Sequence, residues 1–550
     1  MQGLDGLSAL AEAREQQKEE EGKPTQRELL IEIAKTAELW HTQDYESWAT
    51  ITWDGHKEHY PVKSSGFRRW LEASYYAQHE SGPSSQAMSD ARNTIAAMAC
   101  YTGQQHEVFT RVGKAPGCIY IDLANDDWEA VKVTPAGWQV EANPPVRFRR
   151  ARGMAPLPYP AAGGAIEELR PFVNVPDEEQ WILTISWLVT ALRPTGPYPV
   201  LILQGEQGSA KSTTARVLRS LVDPSSVPLR TTPRNEQDLA IHASNAWVVS
   251  FDNLSGVSLW FSDGICRVAT GGGLATRQLY TDDEEALFNY QRPVILNGID
   301  DVATRHDLAD RSLNLVLPPI PDDERKTEET FWRDWELARP RVFGALLDGV
   351  SMALRRVESI HLPRKPRMAD FAVWATAAEE AFGWPEHTAL RAYADNRAEA
   401  VELGIESDPV AFAVCQLLKN KPGGFEGTMT ELLAALGRYV TEDTQKSKAW
   451  PSSVRGLSNR LRRSATALRQ VGIDIDLDRR ASDRNRTRLV RIDNACISSS
   501  TSSTSSEGAP KGVNNGVSAS DATSDATDAN SGTSSTSSET SSDGKSPSLC

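Results

Sequence analysis

One octapeptide constrains this 550-residue chain more than any other stretch. Gly205-Glu206-Gln207-Gly208-Ser209-Ala210-Lys211-Ser212 follows Val200-Leu201-Ile202-Leu203, an apolar run that reads as a buried strand. It precedes Thr213-Thr214-Ala215-Arg216-Val217-Leu218-Arg219, which reads as a helix. Strand, glycine-bearing turn, Lys-Ser and helix, in that order, make a P-loop. Backbone N–H groups of such a turn and of the helix N-terminus point at phosphate oxygens. Residues 205–213, Thr213 included, are therefore the expected cradle of a nucleoside triphosphate, with ATP the expected nucleotide. Lys211 reaches the β- and γ-phosphates, and the hydroxyl of Ser212 ligates Mg²⁺. The motif is broken at one position: Ala210 stands where a glycine usually precedes the lysine. Alanine is the smallest replacement, so the turn is expected to survive. The competing reading, a chance Gly/Ser loop, is opposed by the strand and helix on either side.

Downstream residues add to the picture. Trp247-Val248-Val249-Ser250-Phe251-Asp252-Asn253 is an apolar strand ending in an acid. This is a Walker B arrangement, in which the carboxylate of Asp252 holds the Mg²⁺ shell. Asn253 follows where many ATPases carry a second acid; an amide orients water but takes no proton, so slow hydrolysis or an acid elsewhere is expected. Arg292-Pro293-Val294-Ile295-Leu296-Asn297-Gly298-Ile299 is a further buried strand. Asn297 at its end either senses the γ-phosphate or makes a turn with Gly298. Arg311, in Asp307-Leu308-Ala309-Asp310-Arg311, is either presented to a neighbouring subunit's nucleotide or paired with Asp307 or Asp310 on the surface.

The order and spacing of these elements resemble the ATPase core of superfamily 3 helicases, in particular phage and plasmid primase–helicases. The resemblance is good over about 165–320 and extends by general layout over 100–495. It implies an α/β fold: a P-loop NTPase (AAA+-like) core with an α+β N-terminal domain, a C-terminal winged helix and a disordered tail. It further implies ATP and Mg²⁺ as cofactors, a homo-hexameric ring, and single- and double-stranded DNA as partners, with a separate primase or polymerase alongside. In that family a β-hairpin between Walker B and the sensor asparagine touches single-stranded DNA. The matching segment here is Thr270-Gly271-Gly272-Gly273-Leu274-Ala275-Thr276-Arg277-Gln278-Leu279-Tyr280-Thr281. Arg277 offers a phosphate contact and Tyr280 a base stack; a ligand-free surface loop is the alternative.

Charge distribution matters more than the net charge of −15. Residues 451–491 hold eleven arginines against four aspartates, a local +7 in an acidic chain. Phosphate backbones need such a local field. Helices are expected over 408–419, from the Thr428/Glu431 capping box onward, and over 453–470. The last carries Arg455, Arg460, Arg462 and Arg463 away from an apolar face of Leu457, Leu461 and Leu468. A hairpin follows, from 473–477 back through 487–492. Three helices and a basic hairpin suggest a winged helix whose third helix reads the groove, or else an arginine-decorated subdomain packed on the core.

The expected division is 1–27 polar segment, 28–165 accessory α+β domain, 166–320 ATPase core, 321–404 helical segment, 405–495 winged-helix-like domain and 496–550 disordered Ser/Thr-rich tail. Within 28–165 the strand candidate 118–123 ends near Asp122, but Ala124 breaks the acid-x-acid pair that archaeal-type primases use, so no primase centre is assigned. Six scattered cysteines (100, 118, 266, 415, 496, 550) include no C-x-x-C pair and argue against zinc or a disulfide framework. No run of about 18 apolar residues suggests a membrane span, and a cytoplasmic location is expected. Two functions remain: an ATP-driven DNA helicase or translocase of a mobile element's replication system, or a DNA-binding initiator using the P-loop as a nucleotide switch. A small-molecule P-loop kinase has no use for the basic domain.

Overall fold

The computed structural model of the protein describes residues 24–272, 274–277, 285–288, 291–298, 306–479 and 488–494. The expectations for 1–23 and for the 496–550 tail lie outside the described residues.

The first region is a four-stranded sheet of β1 (Glu38–His41), β2 (Ser47–Trp53), β3 (His56–Pro61) and β4 (Gln104–Gln105), ordered β3-β2-β1-β4. Helices α1 (Gln26–Ala34), α2 (Ser65–His79) and α3 (Ser85–Tyr101) accompany it. Thr25, Ser64 and Ser84 cap these helices by accepting first-turn N–H bonds, which fixes where each begins. Leu30, Phe67, Leu71 and Ile95 meet in a core of this region's own.

β5 (Val108–Phe109) then leads into an antiparallel meander of β6 (Val112–Ala115), β7 (Cys118–Asp122), β8 (Ala130–Thr134) and β9 (Gly137–Glu141); β10 (Arg147–Phe148) returns to pair with β5. The meander does not share the first core. Ile119, Ile121, Val131 and Val133 join the large central cluster instead. Residues 28–165 therefore divide between two cores.

The central sheet contains β11 (Val200–Gln204), β12 (Val249–Leu254), β15 (Val294–Gly298) and β16 (Ser312–Val316), all parallel, in the order β12-β15-β11-β16. β11 and β15 are buried at every position, as parallel strands covered on both faces must be. One face packs against α4 (Glu178–Ala191), α5 (Lys211–Val222) and the helices α9 (Glu328–Arg356), α10 (Ala369–Ala378) and α11 (Thr388–Ser407). The other packs against α6 (Glu236–Asn245) and α7 (Leu259–Thr270). Between β12 and β15, β13 (Leu274–Arg277) and β14 (Glu285–Phe288) form an antiparallel ladder in which Arg277 stands opposite Glu285. The short α8 (His306–Ala309) precedes β16.

The C-terminal region has its own core of Val410, Leu417, Leu432, Leu457, Leu461 and Ile492. Its helices are α12 (Pro409–Asn420), α13 (Met429–Leu436), α14 (Glu442–Lys446) and α15 (Val454–Gln470), with a three-stranded sheet of β17 (Phe425–Gly427), β18 (Ile473–Asp476) and β19 (Val490–Asn494) in the order β17-β19-β18. The Thr428–Glu431 capping box forms as read from sequence. On α15 the buried positions Leu457, Leu461, Ser464 and Leu468 recur every three to four residues, placing one stripe inward.

Candidate functional site

The chain leaves β11 at the C-terminal edge of the sheet and turns through residues 205–210 into α5. Two glycines make this turn possible. Gly205 has φ +149°, and a Cβ there would lie 2.4 Å from the Leu317 carbonyl oxygen and 2.8 Å from Ser209 Oγ. Gly208 has φ +87°. Ala210 keeps the turn that glycine would make, with φ 56° and ψ 27°. A left-handed alanine costs about 1–2 kcal/mol, so the alanine retains the loop under local strain.

Lys211 opens α5 and folds back over the loop. Its Nζ donates to the carbonyl oxygens of Gly205 and Glu206, each at 2.7 Å, and to Ser209 Oγ at 3.2 Å. Burial pulls its pKa below the usual ammonium value, and Asp252 opposes that shift. The next residue meets the acid of β12: Ser212 Oγ donates to Asp252 Oδ1 at 2.9 Å. Asp252 itself is fixed by its backbone N–H, which donates to the Arg230 carbonyl at 2.8 Å. Glu206, Gln207 and Gly208 are exposed, and Ser209 is buried.

β15 lies between β11 and β12, so Asn297 reaches the same edge. Its Oδ1 accepts from the Asn253 backbone N–H at 2.8 Å, with Asn253 left-handed at φ 56°. Asparagine tolerates that conformation better than most residues. Asn297 is 1% exposed, and its Nδ2 has no hydrogen-bond partner among the described residues. An amide N–H₂ left unpaired in a buried site is costly and marks a place for an acceptor. Lys211, Ser212, Asp252, Asn253 and Asn297 thus converge on one sheet edge, at the carboxyl ends of parallel strands where open α/β sheets hold ligands.

Arg311 is elsewhere. Its carbonyl accepts from Val200 N–H, at the start of β11, so it stands at the opposite edge of the sheet from its own chain's loop. Its guanidinium pairs with Asp307. The neighbouring Asp310 instead pairs with Arg397, and at 3.4 Å with Arg367.

Three supports were not visible in sequence. Asn174 donates to the Ser209 carbonyl at 3.0 Å and to the Pro318 carbonyl at 2.6 Å, bracing the loop from outside. Arg325, paired with Asp322 at 3.0 Å, holds Nη2 3.1 Å from where a Gly208 Cβ would sit. Arg111, fully buried with φ 62°, donates to Asp223 Oδ1 at 3.1 Å and to the carbonyls of Asp122 and Ala155 at 2.9 and 2.8 Å. Asp223 Oδ2 accepts from the N–H groups of Trp247 and Val248 at 2.9 and 3.0 Å. This buried network ties the end of α5 to the approach to β12 and so sets Ser212 against Asp252. Asp122 has the same kind of structural duty: its carboxylate takes Arg150 at 2.7 and 3.1 Å.

The sites expected to touch DNA are placed unevenly. Arg277 lies on β13, and Tyr280 is outside the described residues. On α15, Arg455, Arg462 and Arg463 are exposed and Arg460 is half-buried. Arg460 and Arg462 stand 4.0 Å from Asp408 and Asp478. Arg469, Arg479, Arg488 and Arg491 also face acids: Asp474, Glu426, Asp478 and Asp493. Among the described residues, Arg455 and Arg463 have no ion-pair partner.

The fold and this edge define a mixed α/β protein whose glycine loop and acid-bearing strand meet at the mouth of a parallel sheet. Residues 166–400 match the family of the actinomycete integrative conjugative element replication protein, and residues 410–506 match the AICE RepA C-terminal domain. Both matches are to models of replication proteins of such a mobile element, and together they take in more than half of the chain. Among solved structures it is similar to the A-form apo structure of the NrS-1 C-terminal region, at 13% identity and TM-score 0.40 over 84% of this chain and 98% of that one. A second apo structure of that region matches at 10% identity and TM-score 0.39, over 86% and 100% of the two chains. No curated protein matches the chain. Among the described residues no helix is long and apolar enough to cross a membrane.

Proposed function

We propose that the protein is an ATP-driven DNA helicase or translocase of the superfamily 3 type, acting in replication of its mobile element. The observation that carries this reading is the 2.9 Å contact of Ser212 Oγ with Asp252 Oδ1 beneath a glycine loop that a Cβ would block. A hydroxyl and a carboxylate side by side are the oxygen donors Mg²⁺ takes in a P-loop site. Ser212 and Asp252 would hold the metal, which would neutralise charge on the phosphates.

The chain's own groups supply the rest. Residues 205–213 present N–H groups to the nucleotide phosphates. Lys211 exchanges its bonds to the Gly205 and Glu206 carbonyls for phosphate oxygens. Asn297 directs its unpaired Nδ2 toward the γ-phosphate or the attacking water, and Asn253, held by Asn297, orients water without accepting its proton. Arg311, remote from its own loop, serves a neighbouring copy's nucleotide, which requires a ring, taken as a homo-hexamer. The β13–β14 hairpin contacts single-stranded DNA inside that ring, and the C-terminal region acts as a winged helix on duplex.

Asn253, standing where a second acid is usual, favours a second reading, a nucleotide switch without strand separation. Mixed rings test the proposal. Arg311→Ala should bind ATP yet fail to hydrolyse it, and mixing it with Lys211→Ala protein should restore turnover at hybrid interfaces. Loss of binding in Arg311→Ala, with no recovery on mixing, would assign the arginine to structure.

A further inference from the structure

We propose that the N-terminal α+β region carries a nucleobase-binding pocket between Tyr45 and Tyr101. This region lies outside both family matches, and nothing in the nucleotide site uses it. A cavity of about 330 Å³ opens between the β1–β2 turn and the end of α3, and its lining includes Tyr45, Tyr101, Pro61, Ala96, Glu46 and Lys63.

Trp40, Trp48 and Phe67 of this region are fully buried, whereas Trp53, Tyr76, Tyr45 and Tyr101 are exposed, the last two at 65% and 85%. Of these four, Tyr45 and Tyr101 line the cavity. Tyr45 is not a loose loop residue. It sits left-handed at φ 55°, a conformation that costs a tyrosine energy. It is held there by its N–H bond to the Thr42 carbonyl at 3.0 Å and by the Cys100 thiol, which donates to its own carbonyl at 3.2 Å. Its ring lies parallel to His41, with centroids 5.0 Å apart and planes 1° apart, so a stack is already begun on one face. Backbone strain that holds an aromatic ring in solvent points to a ligand for that ring.

Chemistry and size then select the ligand. One Glu46 oxygen accepts from Trp48 Nε1 at 3.0 Å, and the other is left to accept from a guest. Lys63 is exposed and has no ion-pair partner among the described residues. One anion and one cation beside aromatic walls suit a neutral, flat heterocycle that both donates and accepts hydrogen bonds. They do not suit a phosphate cluster or a highly charged peptide. The volume is at the small end of ligand pockets, which begin at about 300 Å³, and so accommodates a single base. The base arrives either in an unpaired DNA strand or as a free nucleoside.

Photocrosslinking of the full chain separates these sources. With a 5-iodouracil-substituted single-stranded oligonucleotide, adducts are expected on peptides containing Tyr45 or Tyr101, and should be lost in Tyr45→Ala. Tyr101→Ala is the second variant, because that exposed side chain at a helix end has no part in the core. In binding titrations each change should weaken the oligonucleotide by about 5- to 100-fold if the base contact is a strand contact. Suppression of the adducts by millimolar thymidine or guanosine would assign the pocket to free nucleosides, and persistence of the adducts would assign it to the strand. Adducts confined to other regions, with affinity and nucleoside response unchanged in both variants, would overturn the proposal.

Discussion

Loop 205–210 and helix α15 are the two stretches on which the sequence reading of nucleotide and DNA contact rests, and the fold treats them in opposite ways. At the loop, buried strands bring together groups far apart in sequence, and the result is an edge where the Lys211 ammonium is held by three loop acceptors and the Asn297 amide keeps an unpaired donor. On α15 and its hairpin the fold does the reverse. Six of the described arginines there meet aspartate or glutamate from nearby turns and strands. A high count of charges is therefore not a high count of available charges. The loop has few charged groups, yet the edge it forms keeps an unpaired donor at Asn297.

The contrast breaks most sharply at Lys211. Lys211→Ala should lower ATP turnover on the order of 10³-fold or more, since the developing phosphate charge loses its nearest cation. Asp252→Ala should match it, and full turnover in either variant would mean the edge is not a nucleotide site. Arg311→Ala should fall by about 10³-fold while keeping nucleotide affinity, measured with a fluorescent ATP analogue.

Stability tests the supports of the loop. Arg111→Ala leaves Asp223 buried with only Arg219, at 3.8 Å, and the Trp247 and Val248 N–H groups, and should destabilise the protein by about 3 kcal/mol, read as a lower denaturant midpoint. A loss below about 1 kcal/mol, the level of a surface pair, would mean the network does not set Ser212 against Asp252.

Much of the loop was legible in sequence because its signal is contiguous: strand, turn and helix are adjacent, and Gly205, Lys211 and Ser212 need only local geometry. Asn174 and Arg111 were not legible. Their partners Ser209 and Asp223 lie 35 and 112 positions away, and neither residue belongs to a motif. The helices and hairpin of the C-terminal region were readable from caps and alternation. The pairing of its arginines was not, because the aspartates at 408 and 478 reach α15 only through the tertiary fold. Nor does alternation reveal that β6–β9 leaves the N-terminal core for the central one, since apolar residues point inward in either case.

Smaller effects sharpen the comparison on α15. If unpaired charge decides DNA contact, neutralising Arg455 and Arg463 should reduce the slope of log K against log salt by about 2, whereas neutralising Arg460 and Arg462 should reduce it by less than about 1. Equal slopes for the two pairs would remove the distinction. The smallest change concerns Ala210. Ala210→Gly relieves a left-handed alanine but loosens the unfolded chain, so a net gain of about 0.5 kcal/mol is expected, seen as a slight rise in melting temperature.

The most direct measurement is steady-state ATP hydrolysis by the full chain with and without single-stranded DNA, run beside Lys211→Ala. A translocase should hydrolyse ATP in a Lys211-dependent manner and run several-fold faster on DNA. Turnover that is absent, or that ignores both DNA and Lys211, would contradict the account.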